Sequence, residues 1–401
     1  MSKWIKTGLA IVGMGIAVVF TIVGGVYVFM TTTAAPLHPD PQAVPSVTRA
    51  VPSAQWTGAV EQARQAVRAS LLEQNLPGVS VAVGVGKDLV WAEGFGYADL
   101  EKRTSVTPET RFRVGDASIA LTSAAVGMLL EKNKLNLDVD IQRYVPSFPE
   151  KQWPVTLREL MGHLAGIRND EGDEEPLEVQ CDHTVDGLQR FASAPLRFEP
   201  GTKYRYSSYG WILVSAAVEG AAGEPFFTFM RTRIFEPLGM TATRPEAWKE
   251  AIPDRATFYF PRFAGDTKYG PEPAREGDQS CFAGAGGFLS TPSDLVRFGT
   301  AVRSGTLLQP ATVDILQTSQ RVPSGDETGY GLGWKLETVE LAGKPARMAG
   351  HGTKTDFIGT TTYLMTIPER GIVVAAMSNT SFADMKSIAL KVAQTFAEQG
   401  R

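Results

Sequence analysis

Few residues of this 401-residue chain combine a reactive side chain with a suggestive position, and the first is Asp116 at the start of an apolar segment. A carboxylate there could attack an acyl group, because carboxylates are nucleophiles in some enzymes. Aspartate is also favoured as the N-cap of a helix, and a helix is expected over 117–130. We favour the cap, because the acyl product of a carboxylate is a labile anhydride. Ile119 is expected to pack in the core.

A second candidate is an acidic run, in which five of the six residues from 170 to 175 are Asp or Glu. Carboxylates are good ligands for Ca²⁺, but the run lacks the spacing of a calcium-binding loop. A solvated loop is therefore the preferred interpretation. None of the 4 histidines has the spacing of a metal site, so we expect neither a metal nor a cofactor.

The charge and the cysteine content exclude several classes of protein. With 39 Lys+Arg against 43 Asp+Glu, the chain lacks the basic surface that nucleic-acid binding needs. Hydrophobic residues make up 43%, which is typical of a folded domain rather than of a disordered chain. Cys181 and Cys281 are too few for a disulfide scaffold and too far apart for a C-x-x-C motif. Whether they pair with each other is left open.

An apolar N-terminal segment precedes the elements that are expected to position Asp116 and the other candidate residues. Residues 8–30 carry no charge over 23 positions, and Lys3 and Lys6 come before them. As a helix, this segment spans roughly 34 Å, enough for a hydrocarbon core of about 30 Å. We predict an uncleaved membrane anchor over 1–30, whose lysines keep the N-terminus in the cytoplasm. A signal peptide cleaved after 33–35 and a buried core helix are the alternatives.

The segment after the anchor has a different composition. Proline, threonine and alanine dominate residues 31–53, which predicts an extended tether. The remainder, 54–400, is expected to fold as one domain outside the cytoplasm, where disulfides are allowed. That compartment is the periplasm if the organism is Gram-negative.

Apolar periodicity indicates strands at both ends of this domain and helices between them. The expected elements are a helix at 54–74, strands at 78–86 and 89–97, a helix at 120–130, a mostly helical stretch at 155–235, strands at 330–336, 361–366 and 372–378, and a last helix at 382–398. This order predicts an α/β (α+β) fold, in which both chain ends form one sheet and a helical subdomain is inserted at about 120–300.

Nine short runs carry a family resemblance. They are TRFRVG at 110–115, KLNLD at 134–138, TLRELMGH at 156–163, FEPG at 198–201, YRYSSYG at 204–210, FEPLGM at 235–240, STPSDL at 290–295, YGLGW at 330–334 and GHG at 350–352. In this order they resemble the serine β-lactamase and penicillin-binding-protein superfamily, specifically its class C-like branch. The resemblance implies a β-lactamase/transpeptidase-like fold, with an antiparallel sheet flanked by helices.

The first motif of that family is absent here. The resemblance implies S-x-x-K at a helix start, where the lysine one turn later helps to deprotonate the serine nucleophile. Aligning the run at 112–115 puts Asp116 at the serine position and Ile119 at the lysine position. No serine of the chain has a lysine three residues later, so both the nucleophile and its activating amine are missing.

The other two motifs are altered. The resemblance makes Tyr206 the proton-shuttling tyrosine of Y-x-N, but Ser208 stands where the asparagine belongs. The alternative is that Tyr206 belongs to an aromatic cluster that lines the cleft. His351 matches the histidine of H-x-G. It is expected either to bind the substrate or to form part of the cleft wall. Thr353 occupies the usual second-glycine position and threatens the backbone approach that an oxyanion hole needs.

Two functions from different classes remain, because a fold does not fix a function. We favour a catalytically impaired, membrane-anchored binding or regulatory protein, since the nucleophile and amine positions hold Asp116 and Ile119. The alternative is an active serine hydrolase of the β-lactamase, D-Ala peptidase or esterase type. The expected partners are the membrane, through the N-terminal helix, and a cell-wall peptide or small acyl ligand in the cleft.

Overall fold

The computed structural model describes residues 3–49, 53–169, 180–246, 249–352 and 358–400, with side chains from residue 12 onward. The chain begins with a long helix, α1 (Lys3–Thr33), whose described side chains are almost all exposed. Its segment Val12–Thr33 is long and apolar enough to cross a membrane. The length and the apolar composition of this segment support the predicted anchor, and they fit a signal sequence equally well.

The structure differs from the expected extended tether at 31–53. Helix α1 continues to Thr33, and a short strand, β1 (Ser46–Thr48), pairs with the main sheet. Between them, His38 is buried, and its Nε2 lies 3.0 Å from the carbonyl oxygen of Leu76. Val44 is buried as well. The reason is that the segment carries aromatic-ring and apolar side chains, whose burial against the domain lowers the free energy of the folded state.

One antiparallel sheet of eight strands forms the centre of the domain. Besides β1, its strands are β2 (Gly78–Val85), β3 (Asp88–Asp99), β4 (Thr104–Ser105), β10 (Lys335–Leu341), β11 (Lys344–Gly352), β12 (Thr361–Ile367) and β13 (Ile372–Ser378). The order in space is β1-β3-β2-β13-β12-β11-β10, and β4 pairs with β3. Strands β2 and β13 join the two ends of the chain, with Val83 opposite Val374. The predicted fold class is confirmed.

Helices cover both faces of this sheet. Helix α2 (Thr57–Glu73) and helix α9 (Met385–Gln399) pack together on one face, and α7 (Pro292–Arg303) packs on the other. In α2 the buried apolar residues recur at helical spacing, which turns one stripe of the helix toward the sheet. Thr291 caps α7 by accepting a hydrogen bond from the backbone of Asp294.

The helical subdomain lies between the two halves of the sheet in sequence. Its helices are α3 (Ser118–Glu131), α4 (Leu157–Met161), α5 (Ser208–Ala222), α6 (Phe226–Met230) and, further along the chain, α8 (Pro310–Leu316). Five short strands form two small separate sheets, one of β5 (Phe112–Arg113), β9 (Phe288–Ser290) and β6 (Arg244–Pro245) and one of β7 (Tyr259–Pro261) and β8 (Pro271–Pro273). Most of the helical subdomain lies within the predicted insertion at about 120–300, whereas α8 lies beyond it and α7 packs on the sheet.

The two cysteines form a disulfide bond. Cys181 and Cys281 are 100 residues apart in the sequence, and the fold brings their Cα atoms to 5.0 Å. The question that the sequence left open is thereby answered: the bond links the start of the segment 180–183 to the short helical segment Ser280–Ala285. That segment packs against α3 and α5, the two helices that begin at the candidate site.

Candidate functional site

Asp116 lies in a tight turn between β5 and α3. The turn Gly115–Ala117 is a single turn of 3₁₀-helix, and Gly115 has a φ of 54°, a backbone conformation that glycine adopts without strain. The N-cap residue of α3 is Ala117, so the predicted capping role of Asp116 is wrong. The turn packs against β11 and β12, which places Asp116 where the helical subdomain meets the sheet.

The carboxylate of Asp116 accepts a hydrogen bond from a tyrosine. The hydroxyl of Tyr206 donates to Oδ2 of Asp116 at 2.5 Å, and Asp116 is only 9% exposed. Burial raises the pKa of Asp116 to about 6, although the hydrogen bond from Tyr206 and the positive charge of Lys335 act in the opposite direction. The structure thus brings together two of the predicted site residues, and the carboxyl group titrates close to neutral pH.

Ile119 points into the core as expected. Its side chain is fully buried in the large hydrophobic cluster of the helical subdomain. An amine nevertheless reaches the site from another element, because Lys335, the first residue of β10, lies with its Nζ 5.6 Å from the centre of the Tyr206 ring. The same Nζ donates to the carbonyl oxygen of Gly352 at 2.8 Å. Sequence reasoning missed Lys335, although it directly follows the YGLGW run at 330–334.

Ser208 begins α5, and an asparagine from a different loop accompanies it. Both the backbone N–H and the hydroxyl of Ser208 donate to Oδ1 of Asn169, at 3.1 and 3.2 Å. The side chain of Ser207 caps the same helix by accepting from the backbone of Gly210. An asparagine amide therefore stands beside the second motif, although it comes from 39 residues earlier in the chain. No short sequence pattern pointed to Asn169.

Two neutral histidines, His351 and His163, lie next to Tyr206 and Tyr330. His351 is fully buried, and its Nε2 is 2.6 Å from the hydroxyl oxygen of Tyr330. Burial lowers the pKa of His351 well below its ordinary range, with a further contribution from the charge of Lys335. His163 packs 4.3 Å from the Tyr206 ring, and burial lowers its pKa to about 3. Both imidazoles are uncharged at neutral pH, and they form the wall behind Tyr206.

Two predicted features fall outside the described residues. These are the acidic run at 170–175 and the segment 353–357, which includes Thr353. Within the ranges that the structure does describe, no three His, Cys, Asp or Glu side chains are grouped closely enough to hold a metal ion.

A buried ion pair supports the turn that carries Asp116. The guanidinium of Arg113, in β5, donates from Nε to Oε2 of Glu246 at 2.6 Å, and from Nη1 to the carbonyl oxygen of Ile358 at 2.7 Å. The backbone carbonyl of Arg113 accepts hydrogen bonds from the hydroxyls of Thr360 and Thr362. Since Arg113 lies three residues before Asp116, these bonds fix the turn against the sheet.

The raised pKa of Asp116 predicts a pH-dependent cost of its charge. The folded pKa of about 6 lies above the ordinary value of 3.8, so ionised Asp116 destabilises the fold above pH 6. That interval corresponds to about 3 kcal/mol. We expect Asp116→Asn to raise the free energy of unfolding by up to that amount at pH 7–8, and the gain to vanish near pH 4. Urea unfolding of both proteins across this pH range measures the difference, and a gain that does not change with pH contradicts it.

The family model "Beta-lactamase" matches residues 59–396. The human serine beta-lactamase-like protein LACTB, mitochondrial, is 29% identical over 84% of this chain and 80% of its own length. Penicillin-binding protein 4* of Bacillus subtilis is 27% identical over 68% of this chain and 62% of its own length.

Solved structures agree on the fold. An octameric penicillin-binding protein homologue from Pyrococcus abyssi matches with a TM-score of 0.70 at 24% identity, over 82% of this chain and 76% of that one. EstCE1, a hydrolase with promiscuous acyltransferase activity, matches with a TM-score of 0.69 at 23% identity, over 85% and 98%. At such identities the likeness concerns the fold alone. Because the family model spans most of the chain, the chain belongs to the beta-lactamase family.

Proposed function

We propose that this protein binds a ligand reversibly in the family's cleft and does not form the acyl-enzyme of a serine hydrolase. The observation that carries the proposal is the carboxylate of Asp116 at the nucleophile position, hydrogen-bonded to Tyr206 at 2.5 Å. A carboxylate that attacks an acyl group gives an anhydride, which water cleaves readily. The tyrosine that would shuttle protons in an active relative is here the donor to that carboxylate.

The nearest serine does not replace the missing nucleophile. Ser118 lies two residues after Asp116, but its side chain is fully buried in the first turn of α3. A nucleophile has to approach the reacting carbon within about 3–3.5 Å, which a hydroxyl enclosed in the core does not do. This burial favours a binding role over the alternative of an active serine hydrolase.

We assign the ligand to the class of cell-wall peptides and small acyl compounds, because penicillin-binding proteins are among the relatives. The protein is proposed to sit in a membrane through α1, with the folded domain outside the cytoplasm. The apolar segment Val12–Thr33 and the preceding Lys3 and Lys6 support this orientation. Protease added to the outside of intact cells, or of spheroplasts, should degrade the domain. A domain that survives while an external marker is cut contradicts the orientation.

Covalent labelling tests the central claim. We expect the full chain in detergent to show no covalent adduct with fluorescent penicillin or with a fluorophosphonate probe, in gels and in intact-protein mass spectra. Calorimetry with a D-Ala peptide, run in parallel, is expected to show reversible binding. Ser118→Ala is the matched control, because any label that this substitution removes belongs to Ser118. A stoichiometric adduct on a cleft residue of the native protein would refute the proposal.

A further inference from the structure

In the family, a lysine of the helix supplies the amine beside the nucleophile. In this chain a lysine of the sheet, Lys335, lies near the same site. The position one turn after Asp116 is Ile119, which is fully buried among apolar side chains. On the opposite wall, Lys335 begins β10 and pairs with Gly350 of β11, one residue before His351. The ammonium of Lys335 thus approaches the site from the sheet, whereas the family's lysine comes from the helix.

Tyr206 connects this ammonium to Asp116. Its hydroxyl donates to the carboxylate at 2.5 Å, and its ring faces Nζ of Lys335, which lies 5.6 Å from the ring centre. A cation at that distance is attracted by the face of an aromatic ring. The bond from Nζ to the carbonyl oxygen of Gly352 holds the side chain in this direction.

Electrostatics agrees with this placement. The charge of Lys335 lowers the pKa of Asp116, of His163 and of His351, so the ammonium lies within interaction range of all three. Burial keeps both histidines neutral at pH 7. Lys335 is therefore a cation that offsets the negative charge of Asp116.

We propose that Lys335 has taken over the place of the amine that helix α3 lacks, and that it accepts the proton of a hydroxyl group installed at position 116. The proposal goes beyond the binding function, because it states that Asp116 alone blocks acylation. In the variant Asp116→Ser, Oγ attacks the phosphorus of a fluorophosphonate, the O–P bond forms and the P–F bond breaks. Fluoride leaves, and the proton of the serine hydroxyl goes to Nζ of Lys335, directly or through the hydroxyl of Tyr206.

The experiment measures the rate of fluorophosphonate labelling of the full chain in detergent. We expect Asp116→Ser to be labelled at residue 116, with a rate that rises as the pH of the assay is raised from about 7 to about 10, because only an uncharged amine accepts a proton. Adding Lys335→Met to this variant should lower the rate by about 100-fold, the smaller end of what a positioned base contributes. Adding Lys344→Met is the matched control, because Lys344 is an exposed lysine of the same hairpin.

A second substitution at position 335 distinguishes the effect of proton transfer from the effect of the positive charge. Adding Lys335→Arg to Asp116→Ser keeps the positive charge, but a guanidinium does not accept a proton at these pH values. We therefore expect it to be labelled as slowly as the methionine variant. The proposal is overturned if folded Asp116→Ser is not labelled, or if the methionine or the arginine variant is labelled as fast as Asp116→Ser. Circular dichroism melts establish that each variant is folded. Labelling of the native chain is a separate outcome, which bears on the binding function alone.

Discussion

Glu246→Gln is expected to lower the free energy of unfolding by about 3–5 kcal/mol, the usual effect of removing one partner from a buried ion pair. The side chains of Arg113 and Glu246 are 1% and 0% exposed, and their atoms approach to 2.6 Å. Arg255 also donates to Glu246, from Nη2 at 2.7 Å. Glutamine keeps the shape of the side chain but removes its charge, so two guanidinium groups lose their buried carboxylate and keep only the half-exposed Glu276.

Urea unfolding of the full chain in detergent at pH 7 measures this effect. The matched control is Glu250→Gln, because Glu250 pairs with Arg244 at the surface, where the side chains are 48% and 38% exposed. Exposed pairs contribute about 0–1 kcal/mol, so the control should leave the unfolding midpoint nearly unchanged. Equal effects of the two substitutions would show that burial does not govern the contribution of the Arg113 pair.

Glu246→Gln should also affect the candidate site. Arg113 accepts hydrogen bonds from Thr360 and Thr362 through its backbone carbonyl, and the turn that carries Asp116 begins two residues later. A side chain of Arg113 that moves to find another acceptor pulls on this turn. The stability of the fold and the position of the carboxylate are therefore linked through one residue.

The sheet could be predicted from the sequence where its strands are buried on both faces. Strands β2, β12 and β13 come from short segments bounded by turn residues and rich in β-branched or apolar side chains, and their burial is complete or nearly so. The sequence analysis predicts no strand over β11, and it misses most of β10 because the exposed half of that strand, around Glu337 and Thr338, has no apolar alternation. The expected strand at 330–336 corresponds to a loop that leads into β10 at Lys335.

The site was predictable only where a motif marks it. The family runs located Asp116 and Tyr206, and the structure joins them by a hydrogen bond across 90 residues of sequence. Asn169 comes from a segment whose own pattern says nothing about the site, and the run at 330–334 that precedes Lys335 marks the family but not where this lysine lies. Their positions depend on how β10 pairs with β11 and on how a loop packs against the first turn of α5. Such placements are properties of tertiary packing, which residue spacing does not encode.

Removing the disulfide is the second change with a large expected effect. Cys181→Ala combined with Cys281→Ala should lower the free energy of unfolding by about 2–5 kcal/mol, because the bond closes a long loop and so restricts the unfolded chain. The sequence separation is 100 residues, and the chain-entropy model gives about 4.7 kcal/mol for a loop of that length. The measurement is urea unfolding of the full chain in detergent, with and without dithiothreitol.

The reductant supplies the control for this prediction. It should lower the stability of the native protein to that of the double variant and leave the double variant unchanged. If the double variant is as stable as the native protein, the bond does not restrain the unfolded chain.

The effect of the disulfide should extend to the helix that follows Asp116. Cys281 belongs to the segment Ser280–Ala285, and the carbonyl oxygen of Gly284 in that segment accepts from the hydroxyl of Thr122 in α3 at 2.9 Å. The backbone of Cys181 also donates to the hydroxyl of Ser280 at 2.8 Å. Reduction therefore frees a segment that holds α3 in place. A disulfide of this kind persists where thiols are oxidised, which agrees with the proposed position of the domain outside the cytoplasm.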